Sequence, residues 1–478
     1  MNILDKIVAT LPTQDTKAKV VKIERFQILK PKYQPHVPLP HQLINPEVEL
    51  YAPCEEIYFN FPVILDNAGE PWDIANLYLI NKLNHNLTYN HRTYAGIADH
   101  LLYYRRFLDN EGIDYLHFPK LKQSKATYRF KKHLEDEIEN DRMTIQTGKK
   151  RINAVARFYK DILKFKLTST SLITESPYEE VVKYIETTTD FGIKKFIKVS
   201  STDLAIKSSK PLPDPDYIYD DGQTKPLTVE DQIKMLNVLK GSDRAYQLLV
   251  YVALFTGVRL QAAATIRIKD INKPVDHRGN LRLPIGAGTT IDTKNNSRMT
   301  IIIPAWLVQD LKVYSDCAVA RARREHSFYG ESDLNYILLS SKGTPFYTSK
   351  LEMRERLTAD PDNLNYGLSY AHAEGQAVRE FLKTLNEEIQ RKHPEYERFK
   401  FHDLRATFGM NLLEDELNKP NRKNITAILE IVQQRMGHRD KKTTLQYLNY
   451  RSRIEWKNHV QDQFESKLFV HVVRSKAS

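Results

Sequence analysis

Apolar positions fall into two helical blocks separated by a polar, proline-rich stretch. In the first block, Tyr94, Ile97, Leu101, Tyr104 and Leu108 recur at spacings of three and four, one face of an amphipathic helix that Gly112 ends. Ile152, Val155, Tyr159 and Ile162 predict a second such helix. Before them, Pro31, Pro35, Pro38, Pro40, Pro46 and Pro53 break any long element, and only Glu56–Leu65 alternates enough for a strand. Residues 1–75 are therefore read as an extension of uncertain role, packed on the helical domain at 76–198. The span 199–226 has no periodicity and reads as a linker. A second domain opens at Leu227, with Thr228 as helix cap and Asp231 at the capping-box position. Its centre is the apolar helix Gln247–Arg259. Three short β-like runs within Asn280–Pro304 predict a small antiparallel sheet. The fold class is mainly α with that sheet, α+β, with the second domain over 227–452 and a tail over 453–478. In the tail, Trp456, Val460 and Phe464 form an apolar stripe, which either packs on its own domain or docks on a neighbouring protomer.

Charge adds to this picture. The 478 residues carry 71 Lys and Arg against 60 Asp and Glu, a net +11 that suits a polyanionic partner without proving one. Lys149, Lys150, Arg151, Arg157, Lys160 and Lys164 stud the second helix, opposed only by Asp161, and are read as DNA-backbone contacts. Two cysteines, Cys54 and Cys317, are too few for a disulfide framework and suit a reducing cytoplasm. The longest apolar runs are too short to span a bilayer, so no membrane is expected.

The chemistry concentrates in Lys400–Tyr450. His402 and Arg405 share a helix face, Gly437-His438 follows an apolar helical run, and Tyr447 lies beyond Thr443-Thr444, a candidate helix cap. Two imidazoles, a guanidinium and a phenol suit a phosphodiester, with the guanidinium gripping non-bridging oxygens and the phenol as nucleophile. A zinc site needs three or four ligands at short spacing, and none are near enough, so neither metal nor cofactor is expected.

This set resembles the catalytic half of the tyrosine recombinases, the phage-integrase family: HxxR, then Gly-His, then Tyr ten residues after that glycine. Thr256-Gly257-Val258-Arg259 resembles the family's first-arginine signature. Lys294 stands between the β-like runs Thr289–Thr293 and Met299–Ile303, where the family keeps a lysine. Lys269 and Lys273 are its rivals, and Tyr450 is the rival of Tyr447. The resemblance implies a helical core-binding domain and a catalytic domain closing as a clamp on double-stranded DNA. Four protomers would then work on two sites, and accessory DNA-bending proteins are possible. It makes Arg259 and Arg405 phosphate ligands, Lys294 the general acid, His402 a proton acceptor or phosphate contact, and His438 a phosphate contact. Tyr447 becomes the nucleophile of a 3′-phosphotyrosyl intermediate, and Arg439 a further phosphate contact. Such an enzyme would be cytoplasmic, on the nucleoid if prokaryotic. Two departures stand out: Ala262 occupies the place of a usual acidic residue, and Leu351–His372 looks inserted. A type IB topoisomerase and a catalytically silent DNA-binding protein are the rival readings.

Overall fold

The computed structural model describes residues 16–31, 50–51, 57–85, 89–168, 173, 175–188, 194–207, 214, 216–358, 372–420 and 424–453. The chain divides into two units, residues 1–210 and 211–478.

In the first unit, β1 (Lys19–Gln27) pairs antiparallel with β2 (Ile57–Leu65), Val21 opposite Val63. Phe61 and Ile64 of β2 are buried with Tyr94 and Leu101 of the helical core. Four helices follow: α1 (Asp73–His85), α2 (His91–Glu111), α3 (Ala126–Glu139) and α4 (Ile145–Phe165). The Asn90 side chain caps α2 by accepting from the amides of Arg92 and Thr93, and Gly112 ends it at φ 61°. The apolar stripes read from the sequence meet here. The hydroxyls of Tyr104 and Tyr159 lie 2.8 Å apart, and Tyr159 also bonds the Tyr115 carbonyl at 2.8 Å. The N-terminal strand is tied in by Arg106, whose guanidinium donates to the Ala18 carbonyl at 2.8 and 3.1 Å.

After α4 the chain forms a two-stranded ribbon, β3 (Glu180–Thr188) and β4 (Lys194–Thr202), with Tyr184 and Phe196 largely exposed. The expected linker therefore does not begin at 199, because Val199–Thr202 complete a strand. Its other end is structured too: β5 (Ile218–Tyr219) and β6 (Gln223–Thr224) make a short hairpin.

The second unit is organised around α6 (Arg244–Thr256), which follows α5 (Val229–Leu239). Leu248, Leu249, Val252 and Leu254 are buried on α6, each contributing about 1.5–3 kcal/mol of transfer free energy. Gly257 ends the helix at φ 71°, and a Cβ there would lie 2.3 Å from the Phe408 ring, so both conformation and packing require glycine. A short helix, α7 (Leu260–Ala264), follows. Next, β7 (Leu281–Ile285) pairs with β8 (Met299–Ile303), Leu283 opposite Ile301. The sheet has two strands rather than the expected three. Thr289–Thr293 is a loop in which the Thr289 hydroxyl bonds the Gly286 carbonyl at 2.8 Å, turning the chain away from strand pairing. Then come α8 (Ala305–Asp316), α9 (Gln376–Lys392), α10 (Phe401–Asn418) and α11 (Ile425–Met436). Residues 441–453 form a further helix, α12. Asp440 caps α12 by accepting from the Lys442 amide at 2.8 Å, so Thr443 and Thr444 lie inside the helix rather than at its start. The stripe at Trp456, Val460 and Phe464 lies outside the described residues, as does 359–371 of the inserted span. Among the described residues no helix is long and apolar enough to cross a membrane.

Candidate active site

The residues singled out in the second unit converge although they come from distant parts of the chain. Arg259 leaves the turn after α6, His402 and Arg405 stand in the first turn of α10, His438 follows α11, and Tyr447 lies within α12. Gly437 ends α11 at φ 64° and redirects the backbone so that His438 turns inward. Gly409 lets the tyrosine in: a Cβ there would lie 2.5 Å from the Tyr447 ring.

What they meet is a pair of carboxylates on the hairpin turn between β5 and β6. The Asp220 Oδ2 atom accepts from Arg405 Nε at 2.8 Å, from His438 Nε2 at 3.1 Å and from the Tyr447 hydroxyl at 3.2 Å. Arg259 reaches Asp220 Oδ1 at 3.5 Å and Asp221 Oδ2 at 2.5 Å. Lys294, on the loop between β7 and β8, pairs with Asp221 Oδ1 at 3.1 Å. His402 Nε2 faces the Asp220 carbonyl oxygen at 2.7 Å. His438 Nδ1 lies 2.9 Å from the Thr444 hydroxyl, so a Nε2–H tautomer donates to Asp220 while Nδ1 accepts from Thr444.

Arg405 is buried, and its two terminal nitrogens donate to the carbonyls of Gly257 and Met436, each at 2.7 Å. It therefore does not point its terminal fork into the site, as expected for a grip on non-bridging oxygens, but turns its Nε edge inward. Arg259 is the more open of the two, and its buried Nε has no hydrogen-bond partner among the described residues.

The electrostatics follow from this crowding. Burial alone would raise the Asp220 carboxyl, but the His438 hydrogen bond and the charges of Arg405 and Arg259 hold it far below the usual carboxylate range. Asp221 is likewise lowered, against a smaller burial effect, by Lys294 and Arg259. Burial and the Asp220 charge push the Tyr447 phenol well above its ordinary value, despite the two arginines. The same carboxylate accepts the hydrogen bond from the phenol hydroxyl.

A cleft opens beside these groups, lined among others by Arg259, Lys294, His438 and Arg439. Lys273 pairs instead with Asp270 at 2.7 Å, and neither Lys269 nor Lys273 lines the cleft. Tyr450 is buried in an apolar cluster with Phe408 and Leu413. The profile of the phage integrase family matches residues 225–453, the span that holds these six side chains.

The chain carries a tyrosine recombinase domain of the phage integrase family. Cutting and rejoining DNA is that family's activity. No curated protein matches the chain in sequence. Among solved structures, the Tn1549 transposon integrase with circular-intermediate DNA is 13% identical, with a TM-score of 0.42, over 78% of this chain and 94% of that one. A lambda integrase dimer on a core site is 12% identical, with a TM-score of 0.40, over 78% and 93%. A lambda integrase tetramer on a Holliday junction is 11% identical, with a TM-score of 0.41, over 78% and 76%.

Three features of this recombinase domain were not read from its sequence. Gly409 looks like any helix-interior glycine. Thr444 reads in sequence only as a cap, whereas its hydroxyl meets His438 Nδ1 at 2.9 Å. Asp220 and Asp221 fall in the span that reads as a linker, and they precede the span matched by the family profile. Ala262 is packed in the core, and the carboxylates that meet the arginines come from this turn instead.

The basic positions on α4, in the first unit, divide into two groups. Lys150, Arg157, Lys160 and Lys164 are exposed along one face. Arg151 does not belong with them: its guanidinium carbon stacks 3.3 Å from the centre of the Tyr103 ring, and it is half-buried. Lys149 is also partly covered.

Proposed function

We propose that the protein is a site-specific DNA recombinase in which Tyr447 attacks the scissile phosphate. The attack forms a 3′-phosphotyrosyl bond and releases a 5′-hydroxyl. One observation carries this reading: Arg405, His438 and Tyr447 all address a single anionic oxygen, that of Asp220, at hydrogen-bonding distance. A non-bridging phosphate oxygen in that place would be held by Arg405 Nε and His438 Nε2, with Arg259 on the other oxygen. The phenol oxygen would then be within reach of phosphorus.

Positive groups preset around a pentacovalent phosphorane stabilise the charge that builds up there. His402 accepts the phenol proton, Lys294 donates a proton to the departing 5′-oxygen, and Arg439 contacts flanking phosphate. Reversal by a 5′-hydroxyl from another duplex conserves bond energy, so the reaction needs neither metal nor nucleotide. The exposed α4 face, Lys150, Arg157, Lys160 and Lys164, supplies backbone contacts from the first unit. A tetramer on two duplexes follows the family pattern.

The test is a nicked duplex carrying a cognate site, from which the 5′-hydroxyl fragment escapes and traps the adduct. Covalent protein–DNA product in wild type, mapped to Tyr447 by peptide mass, supports the reading. Absence of any adduct in wild type, with intact DNA binding, would favour a silent DNA-binding protein.

A further inference from the structure

Arg405, His438, Tyr447, Arg259 and Lys294 all have acceptors already, and those acceptors come from the protein itself. Asp220 offers two oxygens to Arg405, His438, Tyr447 and Arg259, while Asp221 offers two more to Arg259 and Lys294. Every cationic or phenolic group assigned above to the phosphate, except His402 and Arg439, is thus paired with this turn, and His402 holds its backbone carbonyl.

Withdrawing the Arg405 and Arg259 guanidiniums from water without a counter-anion would be costly, and a carboxylate pair relieves that cost. The turn is shaped for the task. Asp221 takes φ 57° and Gly222 φ 158°, which lets two successive carboxylates face inward from a three-residue hairpin turn. The hairpin is fastened at its base by buried Ile218, by the Thr224 hydroxyl on the Ile218 carbonyl, and by the Tyr219 amide on Gln446 of α12.

The fit is nevertheless incomplete. Arg259 Nε stays buried without a partner, so an anion with a third oxygen could satisfy a donor that this turn does not reach. Asp220 Oδ2 and a non-bridging phosphate oxygen cannot share one place, because they collide and repel.

We propose that the Asp220–Gly222 turn is an internal substrate mimic: it fills the phosphate site of the DNA-free protein and is displaced when a scissile phosphate enters. This rests on reading the cleft as the phosphodiester site. Displacement sets the apparent affinity for DNA below the intrinsic one, by the fraction of molecules in which the turn has swung out. It also holds Tyr447 protonated until the substrate arrives, since the Asp220 carboxylate accepts from its hydroxyl.

The test uses the full chain and two readouts. In a Tyr447→Phe background, inorganic phosphate affinity is compared between Asp220/Asp221 and the double variant Asp220→Asn, Asp221→Asn. With Tyr447 present, adduct formation on the nicked duplex is followed at subsaturating DNA. The mimic predicts phosphate binding tighter by about tenfold or more, because two like charges leave the site, and faster adduct formation. Unchanged phosphate affinity with normal adduct formation overturns the mimic and leaves the recombination chemistry standing. Tighter phosphate binding with no adduct in any protein, wild type included, keeps the mimic and removes the chemistry. Weaker phosphate binding together with slower adduct formation overturns it, and makes Asp220 a positioning residue in place of the acid absent at Ala262. If the double variant melts early, Asp221→Asn alone decides, since that side chain is 42% exposed. A rise in phosphate affinity of about threefold supports the mimic, and no rise overturns it.

Discussion

The Tyr447 hydroxyl donates to Asp220 Oδ2 at 3.2 Å across 227 positions of sequence. The nucleophile assigned here is therefore held in a hydrogen bond whose acceptor stands where a phosphate oxygen would. That arrangement separates three properties usually lost together in a mutant: DNA affinity, tyrosine positioning and chemistry.

Tyr447→Phe removes one oxygen from a ring that is otherwise fully packed. Adduct formation should disappear while duplex affinity stays within a few-fold of wild type. Tyr450→Phe, altering a ring in the apolar cluster, should retain the adduct. Peptide mapping of the trapped complex decides between them, and loss only in the Tyr450 variant would transfer the assignment.

The two arginines should fail differently when replaced by lysine. Arg259→Lys loses a planar donor set, and cleavage should fall by about 2–4 kcal/mol of transition-state stabilisation with the melting temperature little changed. Arg405→Lys also abandons the buried carbonyls of Gly257 and Met436, so it should unfold more easily, by about 1–3 kcal/mol per unsatisfied group. Equal melting temperatures for the two variants would contradict this.

Asp220 gives a pH signature with a definite sign. Its folded carboxyl is held below the unfolded value, so its stabilisation is fully present above that value, near pH 4, and is lost as the pH falls towards the folded one. Urea unfolding at pH 7 and pH 3 should show a larger loss for wild type than for Asp220→Asn. Identical losses would mean that the carboxylate is not stabilised in the fold.

Gly409→Ala would place a methyl against the Tyr447 ring. Adduct formation should drop by at least about tenfold through displacement of the phenol, with DNA affinity retained, since a misplacement of about 1 Å can cost a hundredfold. Full activity would show that α12 shifts freely on α10.

Lys294→Ala should be rescued by a substrate with sulfur at the 5′-bridging position, whose leaving group needs no proton. Rescue of Lys269→Ala instead would move the acid, although Lys269 does not line the cleft.

Much of the catalytic half could be read from local sequence, because its markers are local. A glycine past an apolar helix, as at Gly257 and Gly437, ends that helix with φ positive. His402 and Arg405 meet because three residues make nearly one helical turn. Thr289–Thr293 misleads because β-branched residues suggest strands, while a threonine hydroxyl bonding the nearby Gly286 carbonyl stops one. The Asp220 turn was opaque for another reason. Two acids between prolines look like solvated linker, and the guanidiniums that give them meaning lie 38 or more positions away. Likewise Arg151 looked like one cation among six, and only the folded α2 brings Tyr103 beneath it.

The β3–β4 ribbon has a consequence for handling the protein. Among the described residues it is two-stranded, with one backbone edge of each strand outside the pairing, and Tyr184 and Phe196 stand out at 69% and 65% exposure. Such an edge invites strand-to-strand association between molecules, and lysines are the usual guard against it. Lys195 and Lys198 provide that repulsion here, while Lys194 is paired with Glu186 at 2.7 Å, and repulsion between exposed charges fades as ionic strength rises. Concentrated stocks should therefore self-associate more in high salt, opposite to the salt response of binding to DNA.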